Sequence, residues 1–167
     1  MNKKNNIIVV GGKTGGHIYP ALAISSILRK FYNVVIYYIG SKNGMESEIL
    51  KKEIIKFYGL NLKPLVGINF FYKILNILIN IKAFFKSLYI IKKINPKVII
   101  GTGGFVCGPV LLAAFLLKIP IILHEQNVEP GLTNKILSHI ASEIWLTFSD
   151  SAVFFPKNKR KILTGMP

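Results

Sequence analysis

Apolar residues alternate along this chain between two patterns. Short runs at Ile7–Val10, Val34–Ile39, Val98–Ile100, Ile121–Leu123 and Ile144–Thr147 are apolar at successive positions, the mark of strands buried on both faces. The segments between them are longer and repeat with helical period. Strand–helix alternation with such strands predicts a parallel sheet covered on both sides, a doubly wound α/β fold.

The first helix is expected over about Tyr19–Lys30, with Leu22, Ile24, Ile27, Leu28 and Phe31 facing inward. Pro20 falls in its first turn, where a missing N–H does no harm, and Gly15 and Gly16 sit in the loop before it. A second helix is predicted over roughly Phe70–Ile94, mixing Phe70, Phe71, Ile74, Leu75, Leu78, Phe84, Phe85 and Leu88 with Lys73, Lys82, Lys86, Lys92 and Lys93. The charge-free stretch Val98–Leu117 reaches membrane-spanning length, but its glycines and Pro109 divide it into strand, turn and helix. The basic, turn-rich run Phe155–Lys161 reads as a boundary or tail.

Composition narrows the class. With 167 residues the chain can build one core but is short for two, and 51% hydrophobic residues exclude a disordered chain. Lysine and arginine number 22 against 7 acidic residues, a net charge of +15, and no acidic residue lies between Ile54 and His124. Such a charge implies an anionic partner. Nucleic-acid-binding domains rarely pair it with a mean hydropathy of +0.44, so an anionic membrane surface fits better than nucleic acid. An AT-rich coding bias toward Lys, Asn and Ile would leave the same trace. Cys107, the single cysteine, cannot form an internal disulfide, which points to a reducing compartment. The run Ile7–Val10 is too short for a signal sequence, and the expectation is a protein that is not exported.

Three loops carry candidate chemistry. Gly11–His17 (GGKTGGH) follows the first strand and precedes the first helix, where small residues let backbone amides approach a phosphate at the positive end of a helix dipole. It is neither a Walker A loop nor a G-x-G-x-x-G fingerprint. A second glycine cluster, Gly101–Pro109, also follows a strand and opens a helix, so both loops would line one crevice. A third strand ends in His124-Glu125-Gln126-Asn127. Each segment alone is equally compatible with a tight turn or a structural cap.

Together, the strings GGKTGGHIYPALA, GTGGFVCGPVLLAA and HEQNVEPGLTNKILSHIA closely resemble, in order and spacing, the N-terminal half of the MurG family of peptidoglycan glycosyltransferases. The resemblance implies a Rossmann-like N-terminal domain of a GT-B enzyme, facing a membrane-bound acceptor at the cytoplasmic face of the bacterial membrane as a peripheral protein. The implied reaction is inverting transfer of N-acetylglucosamine from UDP-GlcNAc to undecaprenyl-diphospho-N-acetylmuramyl-pentapeptide (lipid I), without a cofactor. By resemblance, Thr14, Gly15, Gly16 and Asn127 touch the donor, and Gly103, Gly104 and Phe105 form an acceptor and diphosphate loop. His17 and Glu125 are the candidates for the general base that takes the proton of the acceptor 4-hydroxyl. Imidazole titrates near neutrality, and a carboxylate could orient it or serve instead.

No metal is expected, because Asp150 is the single aspartate and has no acidic neighbour to bridge a diphosphate-bound cation. Leaving-group charge would fall to loop amides, a helix dipole and basic side chains. Two departures from the family pattern stand out. Lys13 occupies a position where the family usually has glycine, and the linker motif G-N-P-V-R begins at Gly165, where this chain reads Gly165-Met166-Pro167. The expectation is one acceptor-side domain, residues 1–167, lacking the UDP-sugar domain and needing a separate donor-domain partner. The rivals are a non-catalytic membrane-anchoring or lipid-binding module and, more remotely, a nucleotide-binding oxidoreductase domain.

Overall fold

All strands of the sheet run parallel, in the order β3-β2-β1-β4-β5-β6-β7. They are β1 (Asn5–Val10), β2 (Val34–Ser41), β3 (Lys56–Leu60), β4 (Val98–Gly101), β5 (Ile121–Glu125), β6 (Glu143–Leu146) and β7 (Arg160–Leu163). The computed structural model describes residues 5–64, 67 and 69–167; Ile68, at the head of the long apolar stretch, and the side chain of Phe70 lie outside the described residues.

The doubly wound prediction follows from β1. Its residues are buried in succession because alternate side chains enter two different cores. Ile8 and Val10 pack toward Ile90, Ile91, Val110 and Leu111, whereas Ile7 and Val9 pack toward Ala21 and Ile24 on the opposite face. The helices are α1 (Gly15–Phe31), α2 (Met45–Ile49), α3 (Phe70–Ile94), α4 (Cys107–Leu116) and α5 (Leu132–Leu137).

Helix α1 corrects three expectations. It starts at Gly15, so Gly15 and Gly16 form its first turn rather than the preceding loop. Pro20 therefore lies beyond the first turn, withholding a hydrogen bond from the Gly16 carbonyl. Its buried row is Ile18, Ala21, Ile24 and Ser25, with Leu22 and Leu28 partly covered. Ile27 and Phe31, expected inside, are 47% and 68% exposed, because they lie on the next helical row.

Two strands escape the apolar-run criterion. In β3, Lys56 and Gly59 interrupt the hydrophobic pattern, yet it pairs with β2 from Tyr37↔Lys56 to Ser41↔Leu60. The run Phe155–Lys161 is only partly a tail, since its last residues enter β7, where Arg160 lies 3.1 Å from Glu143. Lysine and arginine suit these outer strands because charge discourages edge-to-edge pairing.

Helix α3 has the predicted bounds. Asn69 caps its start by accepting from the Phe71 N–H, and Asn95, at φ 49°, closes its end. Its C-terminal half buries Ala83, Ser87, Ile90, Ile91 and Ile94. The amides of Asn76 and Asn80 donate to the Pro64 and Lys63 carbonyls and tie down the N-terminal half. That half leaves Ile74, Leu75, Leu78 and Ile81 between 45% and 54% exposed, with Phe71 at 80%. Among the described residues, Phe71–Ile94 is the one helix long and apolar enough to cross a membrane.

Candidate functional site

The sheet order reverses at β1, whose neighbours β2 and β4 lead to opposite edges. Ligands of open α/β sheets bind at the carboxyl ends of the strands flanking such a point. Here the Gly11–Thr14 segment, the Thr102–Val106 segment and the end of β5 converge. A Cβ on Gly104 would run into the Gly12 backbone, and one on Gly103 would lie 2.7 Å from the His17 ring. Glycine is required at both positions, which also have φ of +84° and +108°. The two glycine loops therefore touch, as their positions predicted.

His17 projects from the first turn of α1. Its Nδ1 lies 2.9 Å from the Thr102 carbonyl and 3.3 Å from Gln126 Oε1. Both partners are acceptors, so Nδ1 carries the hydrogen in the neutral ring and Nε2 keeps its lone pair. The Thr102 hydroxyl donates to the His17 carbonyl at 2.7 Å, which fixes the turn from the other side. His17, Gly103, Gly104 and Phe105 line a cleft of about 250 Å³ with Lys13 and Asn134.

Gln126 links this ring to a second histidine. Its Nε2 donates to the Thr102 carbonyl at 2.9 Å and to His124 Nδ1 at 3.0 Å. An accepting Nδ1 places the His124 hydrogen on Nε2, which faces the Gly165 carbonyl at 3.3 Å. Burial lowers the His124 pKa, outweighing the opposing effects of the Gly165 carbonyl and the Glu125 charge. His124 is thus a neutral structural bridge.

Glu125 is 1% exposed. Its Oε1 accepts from the Asn127 N–H and side-chain amide, both at 2.9 Å, and its Oε2 accepts from Asn134 Nδ2 at 2.8 Å. No hydrogen bond joins it to His17. The Thr102 carbonyl and Gln126 orient His17, while Glu125 organises the loop carrying Asn127, whose side chain is exposed.

Thr14 is the N-cap of α1, and its exposed hydroxyl makes no capping bond. The first-turn amides of Gly15 and Gly16 have no intrahelical acceptor and mark the positive end of the helix. Lys13 has φ 80°, a backbone region that favours glycine. Beneath it, Glu46 is fully buried, accepting from the Ser41 N–H at 2.7 Å and the Lys13 N–H at 3.4 Å. The Tyr38 hydroxyl donates to the Gly11 carbonyl at 3.0 Å, and burial pushes its pKa well up, so it remains a donor. Cys107 is also sealed in, and burial pushes its thiol up to about 12.

Sequence reasoning missed Thr102, Gln126, Asn134 and Glu46 as parts of this assembly. For Thr102 and Gln126 the available signal was positional, each being a polar residue just beyond a strand end, whereas Glu46 and Asn134 sit in short, largely polar helices that carry no such mark.

Comparison with known proteins shows the family and the fold. The profile of the glycosyltransferase family 28 N-terminal domain matches residues 7–146. A protein from Natranaerobius thermophilus named UDP-N-acetylglucosamine–N-acetylmuramyl-(pentapeptide) pyrophosphoryl-undecaprenol N-acetylglucosamine transferase is 44% identical over 165 residues, 96% of this chain and 44% of its own length. A protein of the same name from Halalkalibacterium halodurans is 41% identical, again over 96% of this chain and 44% of its own. The chain thus spans less than half the length of these relatives. The crystal structure of Acinetobacter baumannii MurG superposes with a TM-score of 0.84 at 31% identity, covering 98% of this chain and 46% of that one. A UDP-GlcNAc 2-epimerase from Neisseria meningitidis, solved with UDP-GlcNAc, shares the fold at a TM-score of 0.70 and 16% identity, over 97% of this chain and 46% of its own.

Proposed function

The chain belongs to the glycosyltransferase family 28 by its N-terminal domain, and from that premise we propose that it is the acceptor-side half of an inverting N-acetylglucosaminyltransferase. The donor is UDP-GlcNAc and the acceptor an undecaprenyl-diphosphate-linked N-acetylmuramyl-pentapeptide, the substrates in the relatives' names. Most donor contacts belong to a second, donor domain outside residues 1–167.

One observation carries this reading: a histidine in a cleft at the sheet's switch point, with Nδ1 held by the Thr102 carbonyl and Nε2 left as an acceptor. In the proposed reaction the acceptor 4-hydroxyl attacks the anomeric carbon, its proton passes to His17 Nε2, and UDP leaves with the electrons of the broken glycosyl bond. The Thr102 carbonyl stabilises the imidazolium that forms. Gly15, Gly16 and the dipole of α1 face the departing diphosphate, with Lys13 beside them. Thr14 and Asn127 contact the donor sugar from this side. Glu125, spent on Asn127 and Asn134, is a positioning residue.

Transfer of labelled N-acetylglucosamine to a lipid-linked N-acetylmuramyl acceptor tests this, with a family donor domain supplied in trans. The chain alone should be silent and the pair active. His17→Ala should lower kcat far more than it raises KM. Silence of a demonstrated complex would overturn the enzymatic reading in favour of a non-catalytic anchoring module.

The same chain is proposed to sit on the cytoplasmic face of the membrane through α3. The support is its exposed row of Phe71, Ile74, Leu75, Leu78 and Phe85 interleaved with exposed Lys73 and Lys82. Each lysine near an anionic leaflet contributes roughly 1 kcal/mol. Lys86, also expected to contribute, donates to the Gly59 carbonyl at 2.9 Å and is partly engaged. Sedimentation with liposomes should rise with anionic lipid and fall in a Lys73→Glu, Lys82→Glu variant. No sedimentation with any vesicle would remove this part of the proposal.

A further inference from the structure

A second cleft adjoins the one at His17. It lies beyond the carboxyl ends of β2 and β3 against α3, has a volume of about 820 Å³, and shares Lys13, Pro64 and Phe105 with the His17 cleft. Lys13, Lys63, Lys82 and Lys86 line it with Asn43 and Asn61. Among the described residues, none of these four lysines is in an ion pair. Glu46, packed under Gly44 of the cleft wall, is fully buried and turned to the Ser41 and Lys13 N–H groups. Two of the cations are held in place. Asn80 exchanges hydrogen bonds with both backbone groups of Lys63, at 3.2 and 2.9 Å, and buried Asn76 donates to the Pro64 carbonyl at 2.8 Å, so the segment carrying Lys63 is fixed on α3 while its side chain stays exposed. Lys86 Nζ donates to the Gly59 carbonyl at 2.9 Å, which pins the ammonium near the end of β3 with two further hydrogens to give.

An uncompensated basic cleft of this size calls for an anionic ligand larger than a phosphate, since pockets of about 300–1,000 Å³ take drug-sized molecules. An N-acetylmuramyl ring bears its peptide on the C3 oxygen, one carbon from the 4-hydroxyl whose proton passes to His17, so the peptide must leave the His17 cleft through an adjoining space. A peptide joined through its amino end keeps its terminal carboxylate. We propose that the basic cleft is the subsite for the acceptor's pentapeptide, with Lys63 and Lys86 pairing with its carboxylates. This rests on the acceptor-side reading above. The other exit, a groove of about 500 Å³ that also meets the His17 cleft at Phe105, is walled chiefly by Ile81, Phe84, Leu112 and Ile136. It would strip water from a charged peptide without replacing it.

The test uses the whole chain and three soluble probes carried on a short alkyl diphosphate. The parent is N-acetylmuramyl-pentapeptide, the second has every peptide carboxylate converted to an amide, and the third is an N-acetylmuramyl methylamide without peptide. An exposed lysine–carboxylate pair is worth up to about fivefold in affinity, so wild type should bind the amidated probe about three- to tenfold more weakly than the parent. The gap should close as salt rises. In Lys63→Gln, Lys86→Gln the parent should fall to the affinity of the amidated probe, while the peptide-free probe binds as it does to wild type. Equal binding of parent and amidated probes to wild type, or an unchanged gap in the variant, overturns the proposal and leaves the acceptor-side reading intact. An equal loss of all three probes in the variant also overturns it, by assigning the lysines to the diphosphate. Binding of no probe by wild type overturns both readings.

Discussion

Removing the Glu125 carboxylate separates a residue that holds the site together from one that takes a proton. Three donors converge on it at 2.8–2.9 Å, two from exposed Asn127 in part-buried bonds and one from buried Asn134. In Glu125→Gln, the side-chain oxygen can keep both Asn127 donors at the Oε1 position. Its new amide group then faces Asn134 Nδ2, donor against donor. A hydrogen bond to a charged acceptor contributes about 1.5–3 kcal/mol, so this exchange should destabilise the chain by about 2 kcal/mol. Glu125→Ala leaves the Asn127 donors to water, strands one hydrogen of the buried Asn134 amide and empties the space of a buried side chain, and should lose roughly 3–5 kcal/mol. A domain with a stability of about 5–15 kcal/mol can survive the first change and is threatened by the second. Urea unfolding followed by the fluorescence of Trp145, the single tryptophan and the register partner of His124, reports on this region. With a urea slope of about 1–3 kcal/mol/M, the Gln variant should unfold about 1 M earlier. An unchanged midpoint would refute the reasoning and return Glu125 to candidacy as the base.

Three more outcomes follow from the geometry. Lys13→Gly relieves a left-handed backbone worth about 1–2 kcal/mol, less about 0.5–1 kcal/mol for glycine's freedom in the unfolded chain, so thermal unfolding should rise slightly; a fall of several degrees would contradict this. The lowered pKa of His124 means the unfolded chain binds its proton first as pH falls. Stability should therefore drop below about pH 6.5, the ordinary histidine value, and drop less in His124→Gln; parallel stability–pH curves would rule the effect out. Cys107, its thiol pushed up to about 12 and sealed in the core, should resist a thiol reagent at pH 8 in the native chain and react once unfolded; prompt native labelling would show that α4 opens.

The core of the fold is legible in residue order because its determinants are local. Runs such as Ile7–Val10, short and rich in β-branched residues, read as strands covered twice, and the length and period of Phe70–Ile94 read as a helix. The glycines at 103 and 104 announce a loop before a helix, and their contact with Gly12 and His17 follows once β1 and β4 are neighbours. The edges were less legible. Lys56–Leu60 and Arg160–Leu163 owe their extended form to pairing with β2 and β6, not to an apolar run of their own.

Within the site, residue types and motif spacing singled out His17, Asn127 and the two glycine loops. Which carboxylate or amide touches which ring is decided by side chains 85 to 109 positions apart, as the Thr102 and Gln126 contacts to His17 are. Glu125 reads in the sequence as a carboxylate that could orient His17 or serve as the base instead. In the fold it is the acceptor that closes a ring of amide donors, and the Thr102 carbonyl and Gln126 are the groups that reach His17. The reason is that hydrophobic periodicity is a property of consecutive residues, fixed by the pitch of one helix or the pleat of one strand. Hydrogen-bond closure is a property of atoms held within about 3 Å, and only the packed sheet brings the ends of β1, β4 and β5 to that distance.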